Sequence, residues 1–270
     1  MGDFFYTFFI VPITNVLVLF YYALYSLHIP YALGFAIIAL TAFIRILLYP
    51  LMSAQIKASS KMQKIAPHVA NLKEKHKGDQ KKQQEEMMKL YKEHGVNPAA
   101  GCLPTLIQLP VIISLYNVLN STVSARSVAS IDKINNILYF PFLKIDKIWD
   151  TSFFGLGLFE TPSKMLTHAP FVLILPVVAG LSQLVLSKMM MLEHASIQPK
   201  KDDFQSAFQS QSLIIFPLMI GFFSYTLPVG LSLYWITLNI FGILQQYLLV
   251  GVGSLGVWIN KTKNLWMRNQ

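Results

Sequence analysis

Long apolar runs alternate with one strongly polar segment along the chain. A membrane-spanning helix needs about 20 predominantly apolar residues. Three runs have that length, and a fourth, 212–250, is too long for a single span. Its middle reads Leu-Pro-Val-Gly (227–230), which predicts a tight turn. The pattern therefore predicts an all-α polytopic membrane protein with five transmembrane helices, over residues 31–52, 101–121, 170–191, 212–227 and 231–250.

The N-terminal run, 4–27, is ambiguous. Pro12 is best placed in the first turn of a helix, and a helix over 12–27 would be only about 24 Å long, short of a ~30 Å hydrocarbon core. The residues leave a true span and an interfacial amphipathic helix open, and they favour the interfacial helix. A weakly polar stripe at helical spacing supports that interpretation: Thr7, Thr14, Asn15, Tyr22 and Tyr25.

Composition narrows the class of protein. Hydrophobic residues make up 54% of the 270 residues and charged residues 13%, against about a quarter charged in soluble domains. These values argue against a soluble globular enzyme and a disordered chain. The single cysteine, Cys102, excludes an intramolecular disulfide framework.

The net charge of +9 is unevenly placed and predicts orientation. Residues 53–98 hold ten lysines, whereas 1–44 contain neither Lys nor Arg. The positive-inside rule then places 53–98 in the cytoplasm and the N-terminus outside. Five spans put 122–169 outside, 192–211 inside and a basic tail, 251–270, in the cytoplasm.

The polar segment predicts a cytoplasmic antiparallel helical hairpin. Apolar residues in 55–77 recur at helical spacing, and a Gly-Asp turn follows, with Asp79 as the N-cap of a second helix over 80–94. Gly95 should end that helix. Two interpretations stay open: a hairpin that only satisfies topology, or a docking arm whose methionines make adaptable contacts.

Arg45 is the most informative residue of the predicted spans. It lies about 6 Å from the bilayer centre on the cytoplasmic side, where a charge costs about 2.5 kcal/mol or more. No Asp or Glu occurs in any of the five spans, so no intramembrane ion pair is available. Arg45 therefore either snorkels to the cytoplasmic headgroups or faces a wet interior.

Amide side chains in the spans could share such an interior with Arg45. Each one could equally bond a neighbouring helix as packing glue, but their number favours a hydrophilic groove. No metal-ligand spacing, nucleophile–base pair or phosphate loop is present, so no enzyme activity and no cofactor are expected. The amides are Gln108, Asn117, Asn120, Gln183, Asn239, Gln245 and Gln246.

Four segments together resemble the YidC/Oxa/Alb membrane protein insertases. They are IIALTAFIRILLYPL (37–51), KMQKIAP (61–67), MMKLYKEHGVNPAAGCLPTLIQLPVIISLY (87–116) and LPVGLSLYWITLNIFGILQQYLL (227–249). They correspond in turn to the family's first core span, the start of its hairpin, the hairpin exit with the second span, and the last span. The similarity extends over nearly the whole chain.

The resemblance implies a fold and a function. Five helices would surround a hydrophilic groove, with residues 1–30 forming an interfacial helix on the outer surface. The protein would move hydrophobic segments of newly made proteins from the cytoplasm into the bilayer, alone or with the Sec translocon, in a bacterial plasma membrane. The groove candidates are Arg45, Gln108, Asn117, Gln183, Trp235 and Asn239, and the hairpin docking candidates are Met62, Gln63, Pro67, Met87, Met88 and Tyr91.

The same resemblance implies which partners should bind and how the chain divides into membrane, cytoplasmic and outer segments. Nascent membrane proteins and lipids are expected to bind, and the ribosome and the Sec translocon are further candidates; DNA is not. The tail holds only three basic residues, which argues against ribosome binding by the tail. The predicted segments are 1–30, 31–54, 55–98, 99–121, 122–169, 170–191, 192–211, 212–250 and 251–270.

Three other functions remain as alternatives. A transporter or channel would need internal repeats and paired intramembrane charges, and neither is evident in the sequence. A folding chaperone would contact substrates that are already inserted without inserting them. Primary nucleic-acid binding is disfavoured because the ten lysines of 53–98 alternate with five acidic residues and lack an aromatic platform beyond Tyr91.

Overall fold

The computed structural model describes residues 2–95, 97, 103–123, 128–145, 149–190 and 204–256, and this part of the chain is mostly helical. The helices are α1 (Gly2–Phe5), α2 (Val11–Ser26), α3 (Ala32–Leu47), α4 (Tyr49–Lys64), α5 (Ala66–Lys75), α6 (Gln80–Glu93), α7 (Leu103–Val123), α8 (Val128–Asn135), α9 (Pro162–Met165), α10 (Ile174–Met189), α11 (Phe204–Thr226) and α12 (Val229–Leu249). A π-helical turn, Tyr6–Ile10, joins α1 to α2, and short 3₁₀ turns cover Pro141–Leu143 and Pro170–Leu173. Most of the predicted loop 192–211 and tail 251–270 lies outside the described residues.

The chain divides into two compact units. The first comprises Met1–Leu47, Leu106–Leu184 and Ile214–Phe241; the second comprises Leu48–Thr105, Val185–Leu213 and Gly242–Gln270. The first unit contains the main hydrophobic core, whose most buried members include Leu17, Leu33, Ile37, Leu115, Leu119, Leu158, Leu231 and Tyr234.

The N-terminal helix differs from the prediction in two respects. Helical backbone runs without interruption from Gly2 to Ser26, so Pro12 does not begin the helix and the argument from a short helix was wrong. The proposed polar stripe is not one exposed face either, because Thr14 and Asn15 are buried whereas Tyr22 and Tyr25 are exposed. The two buried residues are used in internal hydrogen bonds.

The first predicted span, 31–52, is not one helix. α3 ends at Leu47 and α4 begins at Tyr49, so the prediction of a single helix here was wrong. Pro50 favours the break, because proline lacks an amide hydrogen and is best accommodated in the first turn of a helix, where it lies in α4. Arg45 therefore lies in the last turn of α3.

Two helical stretches are long and apolar enough to cross a membrane, and they cover Tyr6–Ser26 and Pro170–Met189. A third qualifies if α3 and α4 are counted as one interrupted span, and Leu213–Thr226 is a shorter apolar helix. α12 is 21 residues long but carries Asn239, Gln245 and Gln246 in its sequence. By length and composition, the described residues therefore contain at least two helices that could cross a membrane. The number of five spans stays a prediction.

Asn15 ties the segment after α8 to the N-terminal helix. Its Nδ2 donates to the carbonyl of Ile137 at 2.8 Å, and its Oδ1 accepts from the amide of Tyr139 at 2.7 Å. Nearby, the Asn135 side chain bonds the backbone of Ile145 in both directions, at 3.0 and 2.8 Å. Amide side chains thus supply the partners that this irregular backbone lacks.

A two-stranded hairpin packs against α3. β1 (Ser152–Phe153) pairs antiparallel with β2 (Leu156–Gly157), with Ser152 opposite Gly157 and Phe153 opposite Leu156. Phe154 and Gly155 both have positive φ, as a two-residue turn of this handedness requires. The Phe153 ring lies against Gly34, where any Cβ would overlap it.

The same segment caps the start of α12. The amide of Val229 donates to the carbonyl of Glu160 at 2.9 Å, and that of Gly230 donates to Leu158 at 2.8 Å. These are amides of the first helical turn, which has no intrahelical partners for them. The described part of 122–169 is therefore better ordered than the loop that the sequence predicted. Its residues in the main core include Leu143, Trp149, Leu156, Leu158 and Met165.

α10 and α11 approach closely at two glycines. A Cβ on Gly180 would lie 3.2 Å from the Pro217 carbonyl, and one on Gly221 would lie 3.4 Å from the Pro176 carbonyl. Small residues at such a crossing let two membrane helices bring their backbones together.

The second unit contains the predicted hairpin helices. Ile65 separates α4 from α5 because Pro67 starts a new helix, so the prediction of one helix over 55–77 was wrong. α6 agrees with its prediction: Asp79 accepts from the amide of Lys82 at 3.0 Å, and Gly95 has φ +62°. Gln83 Nε2 donates to the last carbonyls of α5, reaching that of His76 at 2.8 Å.

A small core joins α5 to α6. Ile65, Val69 and Tyr91 are buried, and Met62, Met87 and Leu90 pack against them. On the surface, Lys89 donates to Glu86 at 2.6 Å; this hydrogen bond lowers the pKa of Glu86 and raises that of Lys89. Because both groups are solvent-exposed, the pair contributes little to stability.

Within the second unit, the end of α12 bonds two other helices. Gln245 Nε2 donates to Ser53 Oγ at 3.2 Å, and Gln246 Nε2 donates to the Met189 carbonyl at 3.1 Å. These two amides act as packing contacts, one of the two interpretations that the sequence left open.

Replacing Asn15 should loosen the segment that it holds. We expect Asn15→Leu to leave the Tyr139 amide and the Ile137 carbonyl unpaired, costing about 1–3 kcal/mol for each buried group. Amide hydrogen exchange at Tyr139 should become faster in the variant. The matched control is Thr14→Val, because the Thr14 hydroxyl bonds only within its own helix, to Ile10 at 2.7 Å. Equal exchange rates in both variants would contradict the role of Asn15.

Adding a methyl group at Gly34 should conflict with Phe153. We expect Gly34→Ala to destabilise the protein by about 1–3 kcal/mol, the usual cost of overpacking. In Gly34→Ala/Phe153→Ala the clash is absent, so the double variant should be more stable than the sum of the two single effects predicts. Thermal unfolding in detergent micelles measures all three variants. Strict additivity would show that the ring and the glycine do not meet.

Candidate functional site

The six predicted groove residues all belong to the first unit. Among them, Arg45 contacts the backbone of α12. Its Nη2 donates to the carbonyl of Leu238 on α12 at 2.9 Å. Its Nε is buried and has no hydrogen-bond partner among the described residues. The residue as a whole is only half-buried. Arg45 is therefore held by a helix backbone and retains unused donor capacity.

Leu238 can accept from Arg45 because a carbonyl oxygen has two lone pairs, and only one is needed by the α-helix. A carbonyl dipole offsets only part of a full positive charge. The spans contain no acidic side chain that could do more. Arg45 thus keeps much of its ability to attract an anionic group.

Tyr234 is a neighbour of Arg45 that the sequence reasoning missed. It is 1% exposed, its hydroxyl lies near the guanidinium, and its Oη has no hydrogen-bond partner among the described residues. The spacing in the sequence could have indicated this neighbour, because Tyr234 precedes Leu238 by four residues and both therefore lie on one face of α12.

Gln108 fits the predicted groove in one respect. It is half-buried, and its Nε2 is buried without a partner among the described residues. A buried amide donor without an acceptor is unfavourable and is usually satisfied by water or by a ligand. Gln108 and Arg45 therefore both present unsatisfied donors within the same unit.

The other groove candidates have different surroundings. Asn239 is 1% exposed and donates to Ser182 Oγ at 3.0 Å, so it joins α12 to α10. Trp235 is buried and stacks on Phe223 of α11, with ring centroids 6.3 Å apart. These two residues hold helices together, and their place in a groove stays a prediction.

The remaining two candidates lie nearer the surface. Asn117 is exposed and donates to the Ile113 carbonyl of its own helix at 2.8 Å. Gln183 is half-buried and directly follows Ser182, the partner of Asn239. The structure thus does not gather all six candidates into one described cluster.

The hairpin candidates divide in a similar way. Met62, Met87 and Tyr91 belong to the small core between α5 and α6. Met88 is 48% exposed and Pro67 is also exposed, so these two are available to a partner. The side chain of Gln63 lies outside the described residues.

Comparison with known proteins identifies relatives of this chain. Residues 23–252 match the family model described as the 60Kd inner membrane protein. The chain is 33% identical over 249 residues to the inner membrane protein ALBINO3 of Arabidopsis thaliana chloroplasts, covering 85% of this chain and 49% of the relative. It is 35% identical over 222 residues to the membrane protein insertase MisCA of Bacillus subtilis, covering 81% and 70%.

A solved structure is also similar. The crystal structure of an active YidC insertase with its first transmembrane domain shares 27% identity and a TM-score of 0.55, over 87% of this chain and 46% of the other. This chain therefore spans about half the length of that insertase and of ALBINO3. On these similarities, the chain belongs to the YidC/Alb3 family of inner membrane proteins.

Proposed function

We propose that this protein is a membrane protein insertase, which moves hydrophobic segments of newly made proteins from the cytoplasm into the bilayer. The single observation that carries the proposal is the state of Arg45, a half-buried residue whose guanidinium has a backbone carbonyl partner and a buried, unpaired Nε. Such a group suits a transient anionic ligand, because a permanent carboxylate would neutralise it. The names of the relatives, which include membrane protein insertases, support the same function.

The proposed topology has five spans, formed by α3, α7, α10, α11 and α12. The N-terminus and the segment 122–169 are outside, and the hairpin, 192–211 and the tail are in the cytoplasm, following the distribution of lysines. The order of the outer segment supports a groove that is closed on the outside, since a well-packed segment excludes water there.

The mechanism begins with electrostatic attraction. A short extracellular tail of the substrate, carrying Asp or Glu, enters the groove and pairs with the free donors of Arg45. The low dielectric of the surroundings makes this attraction stronger than in bulk water. Gln108, which is half-buried, supplies a further donor, and this lowers the cost of removing the tail from water.

Partitioning then completes insertion. The apolar segment adjoining the tail moves along the lipid-facing side of the groove, and its burial in hydrocarbon provides about 25 cal/mol for each Å² removed from water. This gain favours release of the tail on the outer side. The Sec translocon and the ribosome are proposed partners for substrates that need them.

Insertion should depend on Arg45 in proportion to the charge of the substrate tail. We expect Arg45→Ala to reduce insertion of a single-span substrate with an acidic tail by about tenfold or more, since a hydrogen bond to a charged group contributes about 1.5–3 kcal/mol. Proteinase protection in reconstituted vesicles measures insertion. A substrate with Asn and Gln in the tail should be far less sensitive to the substitution.

Two controls sharpen this experiment. Thr41→Val alters a buried hydroxyl one turn away that bonds only its own helix, at Ile37, and it should leave insertion unchanged. Moving the arginine to a neighbouring span in the Arg45→Ala background should restore activity if charge alone matters. Full activity of Arg45→Ala with the acidic substrate would reject the mechanism. Crosslinking to substrate without insertion would favour a folding chaperone.

The hairpin should recruit partners through its exposed apolar residues. We expect Met88→Ser to lower crosslinking of the hairpin to ribosome-bound nascent chains several-fold while leaving its helices intact, because Met88 lies outside the small core. Circular dichroism checks the fold, and Lys81→Ser, at an exposed position on the same helix, is the matched control. Unchanged crosslinking in Met88→Ser would indicate that the hairpin serves topology alone.

A further inference from the structure

Exposed aromatic side chains gather where the outer segment meets α2. Tyr139, Phe140 and Phe142 are 57%, 55% and 56% exposed. Phe140 stacks on Phe142 with centroids 5.5 Å apart, and Phe142 meets Tyr22 of α2 edge-on at 6.1 Å. We call these four residues, Tyr22, Tyr139, Phe140 and Phe142, the aromatic patch.

The aromatic patch is held outward by its surroundings. The backbone at Ile137 and Tyr139 is fixed by Asn15, and Leu143, next to Phe142, is 3% exposed within the main core. The 3₁₀ turn over Pro141–Leu143 thus anchors one apolar residue inward while directing Phe140 and Phe142 outward. Such rings in water would be unfavourable, and contiguous apolar surface of this kind marks a contact with lipid or protein.

Lipid is the occupant that the neighbouring surface favours. Leu19, Tyr22 and Tyr25 are exposed at helical spacing on a stretch, Tyr6–Ser26, that is apolar enough for a membrane. Through the contact of Phe142 with Tyr22, the aromatic patch continues this apolar face. Tyrosines with an apolar ring and a polar tip are enriched at membrane–water interfaces.

Charge next to the aromatic patch fits the same occupant. Lys144 is exposed two residues after Phe142. A lysine can lay its aliphatic stem along apolar surface and extend its ammonium to lipid phosphates. We propose that the aromatic patch anchors the outer segment in the lipid interface of the outer leaflet, with its rings at the boundary of headgroups and acyl chains.

Site-directed spin labelling tests the anchor directly. Phe140→Cys and Phe142→Cys, each in a Cys102→Ser background, carry a nitroxide in the full chain reconstituted in phosphatidylethanolamine–phosphatidylglycerol vesicles. Collision with apolar oxygen is compared with collision with the water-soluble nickel complex NiEDDA. A label at Lys81→Cys on the hairpin gives the reference for full exposure to water.

The expected result is a several-fold higher ratio of oxygen to nickel accessibility at both aromatic positions than at Lys81. A label at Tyr139→Cys should behave similarly, and it gives a third position because Asn15 bonds only the backbone there. Nickel accessibility equal to that at Lys81 would overturn the proposal by placing the aromatic patch in water. Protection from both reagents would also overturn it, by showing that protein covers the aromatic patch. The measurement needs no substrate, so its outcome is separate from that of the insertion assays.

Discussion

The need to satisfy buried polar groups inside an apolar protein governs this structure. Water is scarce within a bilayer, so each buried donor must find an acceptor in the protein or retain a functional reason to lack one. α12 meets this requirement repeatedly. Its Leu238 carbonyl receives Arg45, its Asn239 bonds Ser182, and its Gln245 bonds Ser53. The three amide side chains of α12 are thus used to join helices.

Against this background, the incompletely satisfied groups are informative. Arg45 Nε, Gln108 Nε2 and Tyr234 Oη are buried without partners among the described residues, as are Ser114 Oγ and Trp149 Nε1 elsewhere in the same unit. Leaving such donors unpaired costs stability, typically about 1–3 kcal/mol for each group. In the proposed mechanism the donors of Arg45 and Gln108 stay available to anionic substrate tails, because tight internal pairing would compete with every substrate.

The segment 122–169, which we propose lies outside, shows the complementary solution. Asn15 and Asn135 supply hydrogen bonds to irregular backbone, and Phe153 fills the space above Gly34. Together these contacts fix the irregular backbone of the described part of this segment and pack it against α2 and α3. Its order supports a closed outer side for the proposed groove, and it also directs the aromatic patch away from the core.

The sequence by itself determined that this is a helical membrane protein and to which family it belongs. It also predicted that Arg45 has no acidic partner in the spans, and it predicted the N-cap and the C-terminal end of α6. These follow from composition, apolar run length and local turn chemistry, which act over a few residues. Tertiary structure decided the rest. It buried Thr14 and Asn15, assigned Asn239 to packing and brought Tyr234 to Arg45. Periodicity shows which residues share a helix face, but which of those faces meet depends on contacts between residues far apart in the chain.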